Sequence, residues 1–147
     1  MMIGLYIQNR QSGQNEQVKN HMLQVKTYLG KSNFEGVGVF ADVFIPKGTV
    51  IWKYNPYFTY KISAKKISKF TESEKARPKF LPYYWVDKRG NYMIPLDHDR
   101  YMNHSREANT ESVDDNNDIA NRDIQVGEEI TVDYRLIRPK EMWDSFF

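Results

Sequence analysis

Asn103-His104-Ser105 sets an amide, an imidazole and a hydroxyl in consecutive positions, and Asn109 follows four residues after the serine. Tyr101 and Met102, aromatic and apolar, lead into the run. A polar knot entered from an apolar stretch marks either a demanding backbone or a held ligand. A Ser-His-acid triad would use Ser105, but adjacent His and Ser side chains rarely face each other, and no nucleophile elbow surrounds the serine. A metal centre is equally poorly supported. His21, His98 and His104 are the three histidines, and they show no ligand spacing. The chain has no cysteine, so thiolate zinc sites, disulfides and a cysteine nucleophile are excluded. Asp114, Asn116 and Asp118 begin like a calcium loop, but Ile119 replaces the required glycine and Gln125 the closing glutamate. No metal is expected. Read alone, the Asn-His-Ser run is a structural loop.

Two further stretches carry chemical potential. In Gly36-Val37-Gly38-Val39-Phe40, two glycines let a backbone approach a ligand closely and offer it N–H and C=O groups. The third glycine of a dinucleotide fingerprint is missing and a strand follows, so on its own the stretch reads as a tight hairpin. Gly127-Glu128-Glu129-Ile130-Thr131-Val132-Asp133-Tyr134 ends on a tyrosine that reads either as a strand-end core residue or as a catalytic one.

The elements that must position these residues are mostly strands. A chain of 147 residues fits one domain, residues 21–136, and buries roughly 70% of its unfolded surface. Residues 1–20 read as a flexible tail and 137–147 as an aromatic C-terminal tail. Leu23, Val25, Thr27 and Leu29 alternate with polar residues, a strand pattern. Val37–Ala41 reads as a second strand, and Val50–Tyr60 as strand segments broken at Asn55-Pro56. Ser63–Phe70 reads as a short helix, and Thr71-Glu72-Ser73-Glu74 as the capping box of another that Pro78 ends. Tyr83–Val86 and Tyr92–Leu96 flank the hairpin turn Asp87-Lys88-Arg89-Gly90. Asn103–Asp118 reads mostly as loop, followed by strands over Asp118–Arg122 and Glu129–Tyr134. Ala41, Ile45, Gly48 and Ile51 recur as Ala120, Ile124, Gly127 and Ile130, about 80 residues on. Each copy reads as strand end, glycine turn and new strand, which suggests two small β-modules around a variable middle.

Net charge is +2 but unevenly placed. Lys61–Lys79 holds seven basic residues against two acids, while Glu107–Asp118 holds five acids and no lysine or arginine. The acidic run suits a basic peptide, and each run also reads as a plain solvated face. No stretch approaches the roughly 20 apolar residues of a membrane span, and the N-terminus lacks signal-peptide features. The expected location is the soluble interior of a cell, cytoplasm or nucleus.

In order and spacing, the three stretches resemble the SET-domain protein lysine methyltransferases. That family runs Gly-x-Gly, an insert, Arg-Phe-x-Asn-His-Ser with an asparagine four residues on, then Gly-Glu-Glu-x-Thr before a tyrosine. This chain has Gly36-Val37-Gly38, Arg100-Tyr101-Met102-Asn103-His104-Ser105, Asn109, and Gly127-Glu128-Glu129-Ile130-Thr131 ahead of Tyr134. The resemblance covers about residues 23–136. It implies a mainly β fold with short helices: several small sheets of the β-clip type, and a C-terminal pseudoknot through which the Asn-His-Ser segment is threaded. Threading of that kind is unusual in proteins.

The same resemblance implies the cofactor S-adenosylmethionine. Glu35, Gly36, Val37 and Gly38 would line its methionine end, Asn103 and His104 would hold it from the other side, and Tyr83 or Tyr84 would lie near it. Tyr134 would be catalytic, with Tyr101, Val132 and Trp143 along the substrate channel. The implied partner is a protein with an accessible lysine, such as a histone or another basic protein; neither membrane nor nucleic acid is expected. There are departures. The cysteine-rich modules of many members are missing, and Arg106 stands where a cysteine often does. The aromatic tail with Trp143 and Phe146 either replaces such a module or acts as a plain hydrophobic staple. Residues 61–82 occupy the variable insert. The rival readings are a catalytically silent module of the same fold and a different β-clip binding protein.

Overall fold

The two turn units face each other at the centre of the fold and hold each other in place. In the computed structural model, which describes residues 21–69, 84–137 and 140, Ile45 and Ile124 exchange both backbone hydrogen bonds, at 3.0 and 2.9 Å. The Gly48 N–H donates to Ala120 O, and the Gly127 N–H to Ala41 O, each at 2.8 Å. A shift of 79 positions, the step from Ala41 to Ala120, carries each bond onto its counterpart. Gly48 and Gly127 sit at φ +84° and +80°, where a Cβ costs about 1–2 kcal/mol. The six apolar members of the repeat, Ala41, Ile45, Ile51, Ala120, Ile124 and Ile130, all enter one buried cluster with Leu23, Val39 and Met102. Burying each isoleucine contributes about 1.5–3 kcal/mol, so the repeat is also the centre of the core.

Each unit is a hairpin followed by a third strand, and the third strands are exchanged. The first comprises β1 (Thr27–Lys31), β2 (Val37–Ala41) and β3 (Val50–Lys53). The middle of the chain supplies β4 (Thr59–Ile62), β5 (Trp85–Val86), β6 (Tyr92–Pro95) and the two-residue β7 (Asn103–His104). The second unit comprises β8 (Thr110–Asp114), β9 (Asn117–Ala120) and β10 (Glu129–Val132). Strand β3 pairs antiparallel with β9, setting Val50 opposite Ile119. Strand β10 pairs antiparallel with β2, setting Glu129 opposite Phe40, the equivalent register. Three sheets result, in the orders β1-β2-β10-β7, β3-β9-β8 and β4-β6-β5. The fold is mainly β with short helices, as expected.

Several boundaries differ from the sequence reading, for physical reasons. Leu23 is not the start of β1; it bridges to Trp52 and drops into the core. The helix expected over Ser63–Phe70 is the single turn α1 (Ala64–Ile67), whose first N–H groups are capped by Ser63. Asn103–Asp118 is not mostly loop. Its polar residues form β7 and β8, because β10 and β9 offer them backbone partners. The strand expected to reach Tyr134 stops at Val132, and Tyr134 begins the helical turn α2 (Tyr134–Ile137). The turn at Asp87–Gly90 forms as expected, with Gly90 at φ +76° and its N–H on Asp87 O. The capping box at Thr71–Glu74, Pro78, the N-terminal tail and, apart from Ile137 and Lys140, the C-terminal tail lie outside the described residues.

Candidate functional site

Strand β10 is held from both sides, and the residues that hold it belong to the Asn-His-Ser region. β7 runs parallel to it, with Asn103 beside Thr131 and His104 beside Val132. The Ser105 N–H reaches Val132 O at 3.2 Å. Asn109, fully buried, behaves like a strand residue made of side chain. Its Oδ1 accepts the Thr131 N–H at 2.9 Å and its Nδ2 donates to Glu129 O at 2.8 Å. The Thr110 hydroxyl donates to Thr131 O at 2.8 Å. A buried backbone group left without a partner costs about 1–3 kcal/mol, so Asn109 at this spacing is what lets β10 sit inside the fold.

This crossing fixes Tyr134. Its hydroxyl donates to Met102 O at 2.8 Å and its N–H donates to His104 Nδ1 at 3.1 Å. The two rings lie 5.3 Å apart, and the tyrosine is buried. The hydroxyl proton is committed to Met102, so toward an incoming group the oxygen acts as an acceptor. Burial lowers the His104 pKa, opposing the nearby Asp133 carboxylate, which raises it. Nδ1 already accepts a backbone N–H, so the imidazole is neutral and its 3.8 Å approach to Asp133 is not an ion pair. Asp133 instead takes the Arg135 guanidinium in a two-pronged contact, which holds its carboxyl below the ordinary value.

The Gly-x-Gly stretch meets the same crossing on its other flank. Asn103 Nδ2 lies 3.2 Å from Glu35 O, 3.1 Å from Val37 O and 2.9 Å from Glu129 Oε1. Ser32 Oγ donates to the same carboxylate at 2.8 Å. A Cβ at Gly38 would lie 2.2 Å from Glu129 Oε1, so the glycine is there to admit a buried carboxylate. Glu35, Gly36 and Val37 are exposed, and a Cβ at Gly36 would meet nothing within 4 Å. The result is an open backbone rim, braced from behind by Asn103 and Glu129.

A cavity of about 510 Å³ opens elsewhere around the crossing. It reaches Met102, whose carbonyl takes the Tyr134 hydroxyl, and Val132, two residues before that tyrosine. Trp52, Tyr84 and Trp85 give it aromatic walls, and the β5–β6 and β8–β9 hairpins flank it. The Trp52 and Trp85 rings meet edge-on at 5.4 Å, and Tyr84 stacks on Tyr92 at 5.1 Å.

The structure therefore separates the sequence-selected residues into groups. Glu35, Gly36, Val37, Gly38, Asn103 and His104 gather at the rim and the crossing, and none of them lines the cavity. Tyr84 and Val132 line the cavity, whereas Tyr101 packs against the core cluster with the Arg100 guanidinium over its ring. Tyr83 and Trp143 lie outside the described residues. Sequence reasoning missed Trp52, Asp99, Glu129 and Ser32 as site residues. Only Glu129 carried a signal, its place in Gly-Glu-Glu. No cluster of metal-binding side chains occurs among the described residues, and no described helix is long and apolar enough to cross a membrane.

The SET-domain family profile matches residues 36–135. Among solved structures, a candidate histone methyltransferase of Plasmodium falciparum is similar at 25% identity and a TM-score of 0.52, covering 76% of this chain and 95% of that one. The Ezh2-containing apo ctPRC2 structure is similar in fold at 23% identity and a TM-score of 0.60, covering 79% of this chain and 16% of the longer one. No curated protein matches the sequence.

Proposed function

We propose that this chain, which belongs to the SET-domain family, transfers a methyl group from S-adenosylmethionine to a lysine side chain of a protein. The observation that carries the reading is the placement of the Tyr134 hydroxyl on Met102 O, where the Asn-His-Ser segment crosses β10 and the cavity reaches both Met102 and Val132. When bound, the cofactor supplies an electrophilic methyl group on a positively charged sulfur. The residues present suit it. The open rim at Glu35–Val37 offers backbone acceptors and donors to an amino-acid moiety, and a neutral His104 adds no repelling charge.

What the chain itself must do follows from the substrate amine. A lysine with a pKa near 10.4 must lose its proton to react, at a cost of roughly 4.6 kcal/mol at pH 7 in water. Burial beside Met102 and Val132, at the apolar end of the cavity, disfavours the ammonium and lowers that cost. The Tyr134 oxygen, its own proton given to Met102, accepts an amine N–H and so aims the nitrogen lone pair. Catalysis by this route is positioning and desolvation, with no general base required. The five acids of Glu107–Asp118, of which Asp114, Asp115 and Asp118 line the cavity, favour a basic substrate such as a histone tail.

Calorimetric titration with S-adenosylmethionine, followed by labelled-methyl transfer to a mixture of basic proteins, tests the reading. Wild type should bind and transfer. Tyr134→Phe should still bind the cofactor while its transfer rate falls roughly 100-fold or more. Absence of cofactor binding overturns the proposal, and binding without transfer to any substrate identifies a silent module of the same fold.

A further inference from the structure

The cavity contains carboxyl groups in a setting poor for a reacting amine and good for a permanent cation. Asp99 Oδ2 accepts the Trp52 indole N–H at 2.7 Å, while Oδ1 is buried with no hydrogen-bond donor among the described residues. Asp118 stands directly across the strand pair from Trp52, so both side chains rise from the same sheet face. Asp118 Oδ1 accepts the Ser112 hydroxyl at 2.6 Å. Trp52 is thus flanked by two carboxyls, with the Trp85 ring edge-on beside it.

Among the described residues neither carboxyl is in an ion pair, although three cations, Lys61, Lys88 and Arg89, line the cavity. Lys61 lies 3.7 Å from Asp87 and Lys88 lies 2.5 Å from Asp115, so those two cations serve other acids. Burial drives Asp99 well above the ordinary aspartate range, and the neighbouring Asp97 adds to it. Burial likewise raises Asp118, against the pull of Ser112.

An amine about to be methylated has to be neutral, and a neighbouring carboxylate would hold its proton on. The occupant of this corner is therefore a side chain that stays charged. A guanidinium meets the requirement: it never loses its proton at neutral pH, carries five donors for two acids, and stacks on indole faces. The cavity is of the size that takes a bulky ligand rather than one lysine side chain alone.

We propose that Asp99 and Asp118, with Trp52 and Trp85, form a subsite for an arginine of the substrate that neighbours the target lysine. This rests on the reading of the cavity as the substrate side of a lysine methyltransferase. The Lys88–Asp115 pair joins the tips of the two hairpins that flank the cavity. Both partners are largely exposed, so the clasp is weak and opens to a competing cation.

The test uses a fluorescein-labelled tri-arginine peptide, which contains no lysine, and anisotropy with the full chain. Wild type should bind it at low salt and should not bind the tri-citrulline analogue. Asp99→Asn and Asp118→Asn should each weaken binding roughly tenfold or more. Lys88→Ala, which removes a competing cation, should tighten it. A single cooperative thermal melting transition in the isosteric variants shows that they fold. Failure of tri-arginine to bind, or binding indifferent to both asparagine variants, overturns the subsite. Methyl transfer is scored separately. Transfer whose KM ignores the neighbouring arginine defeats the subsite and spares the lysine reading; acid-dependent tri-arginine binding without any transfer does the reverse.

Discussion

In the first half of the chain, the β1–β2 hairpin turns through residues 32–36 and brings Gly36 and Gly38 to the crossing. In the second half, β8–β9 turns through Asp115 and Asn116 and carries acids to the cavity. Beneath these hairpins the backbone is the same: equivalent glycine turns, equivalent isoleucines and exchanged third strands in equivalent register. The repeat therefore builds the core, while the chemistry lies where the halves differ. Gly38 has Asn117 as its counterpart under the 79-residue shift. One admits a buried carboxylate; the other uses its amide to hold Asp114 at a turn.

The largest test of that comparison is at the shared isoleucines. Ile45→Ala and Ile124→Ala should each destabilise the fold by about 2–5 kcal/mol, by similar amounts, in urea denaturation. A large loss at one and a trivial loss at the other would break the equivalence of the halves. A smaller effect sharpens the difference between them. Gly38→Ala displaces the Glu129 carboxylate from Ser32 and Asn103, at about 1–3 kcal/mol. Asn117→Ala should cost less than about 1 kcal/mol, since it loses only exposed bonds to Asp114. Equal costs would show that the buried carboxylate is not what Gly38 serves.

The smallest effect is a pH dependence. His104 binds its proton less readily folded than unfolded, so the unfolded chain takes up more protons below the ordinary value of about 6.5. Stability should therefore fall as pH drops below that value, and melting curves across this range should be flatter for His104→Gln. Asp99, raised in the folded state, works with the opposite sign: its contribution is lost as pH rises above the ordinary aspartate value. Comparing each variant with wild type separates the two. An unchanged slope in His104→Gln would contradict the neutral imidazole at the crossing.

Much of the fold was legible because its signals are local. Strand β2 has the limits that its alternation and glycines suggest, and the repeat of Ala, Ile, Gly and Ile marks both core and turns. The Asn-His-Ser motif was legible only by its order among the other motifs. Its geometry was not, since Asn109 and Thr131 are 22 residues apart and meet only through β10. The carboxyl corner of the cavity was less visible still. Trp52 and Asp99 are 47 residues apart, and neither sits in a pattern that predicts the other. The acidic run was visible as charge, but its folding into β8 and β9 depended on β3 supplying an edge.

The proposed role of the β7–β10 crossing is to aim a lysine amine at a methyl donor through the Tyr134 oxygen. It is tested most directly by incubating the chain with isotopically labelled S-adenosylmethionine and a peptide containing one Arg-Lys pair, then locating the label by mass spectrometry. Label should appear on the lysine ε-nitrogen with wild type and almost none with Tyr134→Phe. Equal labelling by the two proteins, or label on any residue other than lysine, would contradict it.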